Sequence, residues 1–236
     1  YYEEKSFEKF IKEKFKDNNT ILVIKDKESF LFEDSKITLF VDDKGINHDS
    51  AIFYESAKFN FFNQNDCKIF DRLDEVKKIN TNIDFYACQY SGANWHPSTF
   101  IMDENLKNNI SNKRNFQKFQ NIKESIRKLA CRNYIASAGP VCFLDPKEDF
   151  INKNIYNFPG SEQLHAFLEK EDKNNYMNYN FLFPQPGDLI GNNKHEEVSK
   201  VYDIKKYRNE FYSGRPVLKV KNKEIISFLN KKLNKI

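Results

Sequence analysis

The chain has 236 residues, enough for one large domain or two small ones, and its 38 Lys and Arg against 34 Asp and Glu leave a net charge of +4. Hydrophobic residues make up 39% of it, and no apolar run approaches the roughly 20 residues that a bilayer span needs. No basic block alternates with aromatics either, so the composition argues against a membrane span and against a nucleic-acid surface.

Taken in chain order, Phe7, Phe10, Ile11 and Phe15 recur at helical spacing behind Ser6 as a candidate cap, which predicts a helix over 6–16. Residues 20–24 read as a short buried strand, 30–32 as a second and 37–41 as a third. Residues 51–54 and 58–62 read as a hairpin joined by Glu55-Ser-Ala57. A helix over 69–78 and a strand over 83–87 follow. Phe116, Phe119, Ile122, Ile126 and Leu129 give a long helix over 113–129, then a short strand over 134–136. Helices over 162–169 and 221–232 complete the set. Strands early and alternation later favour a layered α/β or α+β domain, with no repeat or linker to divide residues 1–236.

The glycines are the most informative residues. There are 7 in all, and three sit in Gln89-Tyr-Ser-Gly-Ala-Asn-Trp-His-Pro97, Ile135-Ala-Ser-Ala-Gly-Pro-Val-Cys142 and Phe183-Pro-Gln-Pro-Gly-Asp188. A chain so sparing with glycine keeps it where the backbone needs positive φ or a close approach. The first two stretches leave strand ends, where α/β domains place their binding groups. Tyr90, Ser91, Gly92, Trp95, Ser137 and Gly139 are therefore the candidate substrate-binding residues. Main-chain NH groups and small hydroxyls there suit phosphate oxygens, and Trp95 offers a stacking face or a core anchor.

His48, before one hairpin strand, and Asp66, after the other, converge on one rim of a sheet. Imidazole with carboxylate suits a divalent metal, zinc or iron. A His-Asp dipeptide at a strand start also reads as a turn. His96, between Trp95 and Pro97, has three readings: a third metal ligand, a substrate donor, or a loop histidine packed beside Trp95. His165 reads as a helix-surface or core residue. Asp145 and Asp188 read as turn or cap residues before acid–base groups. Ser91 and Ser137 lack the His–Asp neighbours of a hydrolytic nucleophile. Cys67, Cys88, Cys131 and Cys142 have no paired spacing and read as reduced thiols of a cytoplasmic protein.

The hairpin with His48 and Asp66, the Gly92 loop, a long helix, the Gly139 loop, Asn157-Phe-Pro-Gly160 and Phe183-Pro-Gln-Pro-Gly-Asp188 occur in an order that resembles the metallo-β-lactamase fold. The resemblance is to the branch holding the sugar-nucleotide N-acyl hydroxylases, and it covers roughly residues 20–190. It implies an αββα sandwich, incomplete at its N-terminus. The family's His-x-His-x-Asp-His run is absent, and the family order places it just before Tyr1, as if this were the later part of a longer chain. The hydroxylases also use a Rieske iron–sulfur centre, which needs Cys-x-His and Cys-x-x-His pairs, and this chain has none.

The resemblance thus implies a metal-dependent enzyme domain acting on a nucleotide-linked or phosphorylated sugar, as a hydroxylase relative or a metallo-hydrolase. The alternative is a non-catalytic substrate-binding domain of the same fold, working with a separate Rieske-type redox partner. A nuclease of this fold is the third reading, and the loops carry no basic cluster to favour it.

Overall fold

The computed structural model describes residues 6–14, 22–42, 44, 49–92, 96–141, 151, 156, 158–184, 188–191 and 194–196. All fall in Tyr1–Ser199, the first of two units into which the chain divides. The predicted terminal helix over 221–232 lies outside the described residues, as do His48, Trp95, Cys142, Asp145 and Gly187.

After helix α1 (Ser6–Lys14) come strands β1 (Ser29–Phe32), β2 (Ser35–Asp42), β3 (Asp49–Glu55) and β4 (Asn60–Asn65). A 3-10 turn (Phe70–Arg72) runs into α2 (Leu73–Ile79), followed by β5 (Phe85–Gln89), α3 (Glu104–Leu129) and β6 (Asn133–Ser137). Then come α4 (Ser161–Glu171), α5 (Lys173–Tyr176), β7 (Asn180–Leu182), β8 (Leu189–Gly191) and β9 (Lys194–Glu196).

β1 to β7 form one mixed sheet whose spatial order equals their sequence order, and β8 with β9 forms a separate two-stranded sheet. β1 to β4 pair antiparallel. β4 to β7 pair parallel. The fold is α/β, as the sequence predicts. In a parallel run all carboxyl ends face one way, so the loops after β4, β5, β6 and β7 open at one end of the sheet.

Register explains why the sheet coheres. Thr38, Phe53, Phe62, Tyr86, Tyr134 and Phe181 are successive cross-strand partners. The Phe62 and Tyr86 rings stack at 5.8 Å, and Tyr86–Tyr134 and Tyr134–Phe181 follow at 5.6 and 5.4 Å. Each such pair contributes about 0.5–1.5 kcal/mol beyond its buried area. Phe53, Phe62, Tyr86 and Tyr134 are fully buried, in a core completed by Leu73 and Val76 of α2, Ile122 and Leu129 of α3, and Leu164 and Leu168 of α4. The other face carries Leu39, Val41, Phe61, Ile135 and Leu182, all partly exposed.

Two sequence expectations need correction. No strand forms over 22–24: Leu22 and Val23 are 59% and 64% exposed. The chain there leads into a turn in which Asp26 accepts from Val41 N at 2.8 Å and pairs with Arg72 at 2.8 Å. The long helix starts at Glu104, earlier than the apolar stripe indicates, because Asp103 caps it by accepting from Leu106 N at 3.1 Å.

Candidate functional site

Asp66 owes its place to the end of β4. The register slips between Asn63↔Ala87 and Asn65↔Cys88, which makes a bulge at Gln64. Asn65 takes a left-handed φ of 55°, a conformation asparagine tolerates, and its N–H donates to Asn63 Oδ1 at 3.0 Å. Gln64 is fully buried and clamped, accepting from the Tyr86 hydroxyl at 2.7 Å and donating to Cys67 O at 2.9 Å. Asp66 itself is exposed. Its carboxyl shares a hydrogen bond with Asp49, whose pKa is raised by burial, by that bond and by the Asp66 and Asp42 charges.

The two glycine loops meet. Tyr90 N donates to Ser137 O at 3.3 Å, and a Cβ on Gly139 would lie 2.5 Å from Ser91 Cβ and 2.9 Å from Ser91 O. Gly139 is therefore required by main-chain contact with Ser91. Gly92 faces side-chain ends instead: a Cβ there would lie 2.8 Å from Lys118 Nζ and 2.9 Å from Gln89 Oε1. Neither glycine has positive φ, so close approach, rather than backbone conformation, accounts for both.

Ser91 is 3% exposed, and the hydroxyls of Ser91 and Ser137 are buried without a hydrogen-bond partner among the described residues. Such orphaned groups are uncommon in folded proteins and mark places where a ligand or water completes the set. Tyr90 belongs to the core instead, 2% exposed; burial raises its phenol pKa, against the lowering effect of a hydrogen bond to Ser161. His96 is exposed, its ring edge-on to Phe100 at 4.9 Å and its carbonyl accepting from Arg114. His165 bonds the Tyr176 hydroxyl and packs on Phe181.

A cavity of about 180 Å³ opens beside these loops, lined by Asp66, Lys68, Cys88, Gln89, Lys118 and Asn121 among others. Sequence reading passed over Lys118. Its signal was helical: Ser111, Asn115 and Ile122 are buried on α3, and Lys118 continues their spacing. Lysine is common throughout this chain, which hid the position.

Metal chemistry finds few donors here. Among the described residues no three His, Cys, Asp or Glu side chains are grouped to hold a metal ion. Cys67, Cys88 and Cys131 are free and buried, and burial pushes each thiol up to about 12. These residues do not fit a Rieske cluster, which needs thiolates and histidines at close spacing. No described helix is long and apolar enough to cross a membrane.

No family model matches the chain. Two proteins of Mycobacterium tuberculosis, strains CDC 1551 and H37Rv, are 30% identical over 122 residues, which is 52% of this chain and 22% of theirs. A Mycolicibacterium smegmatis protein is 30% identical over 99 residues, 42% of this chain and 19% of its own. All three are named as Rieske 2Fe-2S iron-sulfur proteins. The match spans about a fifth of the length of these relatives.

Proposed function

We propose that this chain is a substrate-binding domain for a nucleotide-linked or phosphorylated sugar, working with a separate iron–sulfur centre. The observation that carries the reading is the junction of the Gly92 and Gly139 loops, where Ser91 and Ser137 keep buried hydroxyls without partners among the described residues, at the carboxyl end of the parallel strands β4 to β7. The names of the mycobacterial relatives support an iron–sulfur partner, since this chain's own cysteines do not fit such a cluster. The half-exposed apolar second face of the sheet is what an αββα sandwich stacks against a second sheet, which supports the metallo-β-lactamase-like architecture. Free buried thiols accord with a cytoplasmic setting.

The loop after β4 favours binding over metal catalysis. The chain around Asp66 carries Phe62, Gln64 and Cys67 and, over residues 60–70, no histidine. Phe62 is fully buried core, Gln64 is committed to Tyr86, and Cys67 is a buried thiol. Titration with UDP-N-acetylglucosamine, followed by calorimetry, tests the reading. Ser91→Ala should weaken binding, and absence of binding to the wild-type chain by any nucleotide sugar would sink the proposal.

A second reading keeps a divalent metal, zinc or iron, on His48, Asp66 and His96, making the domain a metal-dependent enzyme. The Asp49–Asp66 carboxyl pair at the sheet end favours it. Metal content of the purified protein and of Asp66→Ala decides: equal content in both refutes this assignment.

A further inference from the structure

We infer that the cavity between the loop after β4, the end of β5 and α3 takes a phosphoryl group, and that Lys118 is the side chain that contacts it. The inference rests on the substrate-binding reading above and names the charged anchor of that site.

The first observation is a cation without an acid. Lys107, Lys123, Arg127 and Lys128 of α3 each lie against a carboxylate, at 2.8, 3.7, 2.7 and 2.7 Å. Lys118 is half-buried and has no such acid among the described residues. Its charged neighbours are Arg114 and Lys68, both of its own sign. Burial and these two cations together hold its pKa below the ordinary lysine value. Lys68 and Lys118 both line the cavity, and two like charges sharing a low-dielectric recess are eased by an anion that joins them.

The second observation is where the ammonium sits. Lys118 Nζ and Gln89 Oε1 both converge on the bare α-carbon of Gly92, within 3 Å of where a Cβ would lie. The absence of a side chain there leaves the ammonium against open main chain. Asp66 lines the same cavity, with its carboxyl bonded to Asp49, and Cys88 is a neutral thiol at neutral pH. The anion therefore belongs on the Lys118 and Lys68 side.

Size and charge choose the group. A whole drug-sized ligand fills roughly 300–1,000 Å³ and a water about 30 Å³. A cavity of about 180 Å³ suits one compact group and leaves the remainder of the ligand outside. The two lysines that line the cavity suit a group with more than one negative charge. A phosphate monoester supplies about −1.5 to −2 near pH 7, and the diphosphate of a nucleotide sugar supplies its charge across two phosphoryl groups. Lysine binds phosphate as a point charge and needs no planar fork.

Calorimetric titration of the wild-type chain, Lys118→Met and Lys118→Arg with inorganic pyrophosphate, UDP-N-acetylglucosamine and neutral N-acetylglucosamine tests this. Thermal melts of each variant confirm folding. The expected result is salt-sensitive binding of both phosphorylated probes, weakened at least tenfold in Lys118→Met and largely kept in Lys118→Arg. Pyrophosphate binding that depends on Lys118, without UDP-N-acetylglucosamine binding, upholds the phosphoryl anchor while removing the nucleotide-sugar reading. UDP-N-acetylglucosamine binding equal in wild type and Lys118→Met overturns the anchor and leaves that reading standing. Failure of both phosphorylated probes to bind overturns the anchor as well.

Discussion

Adding one methyl group at each loop glycine separates stability from binding. In Gly139→Ala the new Cβ starts 2.5 Å from Ser91 Cβ and 2.9 Å from Ser91 O. Carbon atoms pack best at about 3.5–4.0 Å, so the two loops must part by roughly 1 Å. Overpacking of this kind costs about 1–3 kcal/mol. Restricting the unfolded chain gives back about 0.4–1 kcal/mol. The net is a loss of roughly 1–2 kcal/mol, and for a chain of this length each kcal/mol moves the melting temperature by about 2–4 °C. A fall of roughly 2–8 °C is expected. In Gly92→Ala the close atoms are Lys118 Nζ at 2.8 Å and Gln89 Oε1 at 2.9 Å, the free ends of flexible side chains. They swing away at little cost, so the melting temperature should stay level or rise by about 1–2 °C. Pyrophosphate affinity should nonetheless drop, because the ammonium has moved. Differential scanning calorimetry and binding titration of the two variants side by side give the answer. Equal melting temperatures for the two variants would refute the distinction between main-chain and side-chain contact.

Other substitutions probe the frame around the site. Tyr86→Phe removes the donor to buried Gln64 Oε1, which should cost about 1–3 kcal/mol in urea unfolding; a loss within error would mean that water replaces the bond. Iodoacetamide at pH 8 should leave Cys67, Cys88 and Cys131 unmodified in the folded chain, since thiols near 12 are ionised in roughly one molecule in ten thousand. Peptide mapping that finds rapid labelling at any of the three contradicts their burial. Asp49 has a folded pKa above its unfolded value, so the folded state holds the extra proton and stability falls as pH rises above 3.8. Asp66→Asn removes part of that penalty and should stabilise the chain at pH 7 but not at pH 3. Equal gains at both pH values, from denaturant midpoints, would exclude the carboxyl pair as the cause.

The sheet was legible where side chains obey a local period. The hairpin of β3 and β4 shows alternation and a polar joint in the sequence, and Phe119, Ile122, Ile126 and Leu129 mark the buried stripe of α3. Residues 20–24 misled because an apolar run looks the same whether or not a neighbour is there to cover it. Leu22 and Val23 remain exposed. The site was half legible. Scarce glycine pointed to Gly92 and Gly139, but the reason for each lies in a residue far along the chain, Lys118 for one and Ser91 for the other. Lys118 looks like any surface lysine until α3 brings it over β5. The bulge that aims Asp66 depends on Gln64 meeting Tyr86, a pairing that no local pattern encodes.

Spatial order that equals sequence order also sets a folding schedule. β1 to β4 are joined through 33–34, 43–48 and 56–59, so their pairings close short loops at small entropic cost. β5, β6 and β7 must each wait for a crossover, through 66–84, 90–132 and 138–179. Contacts between near neighbours in sequence form faster than distant ones, so the antiparallel half is the natural template on which the parallel half assembles. On a ribosome that half also emerges first. The recess that holds Lys118 needs β4, β5 and α3 all in place, which makes ligand competence one of the last properties this chain acquires.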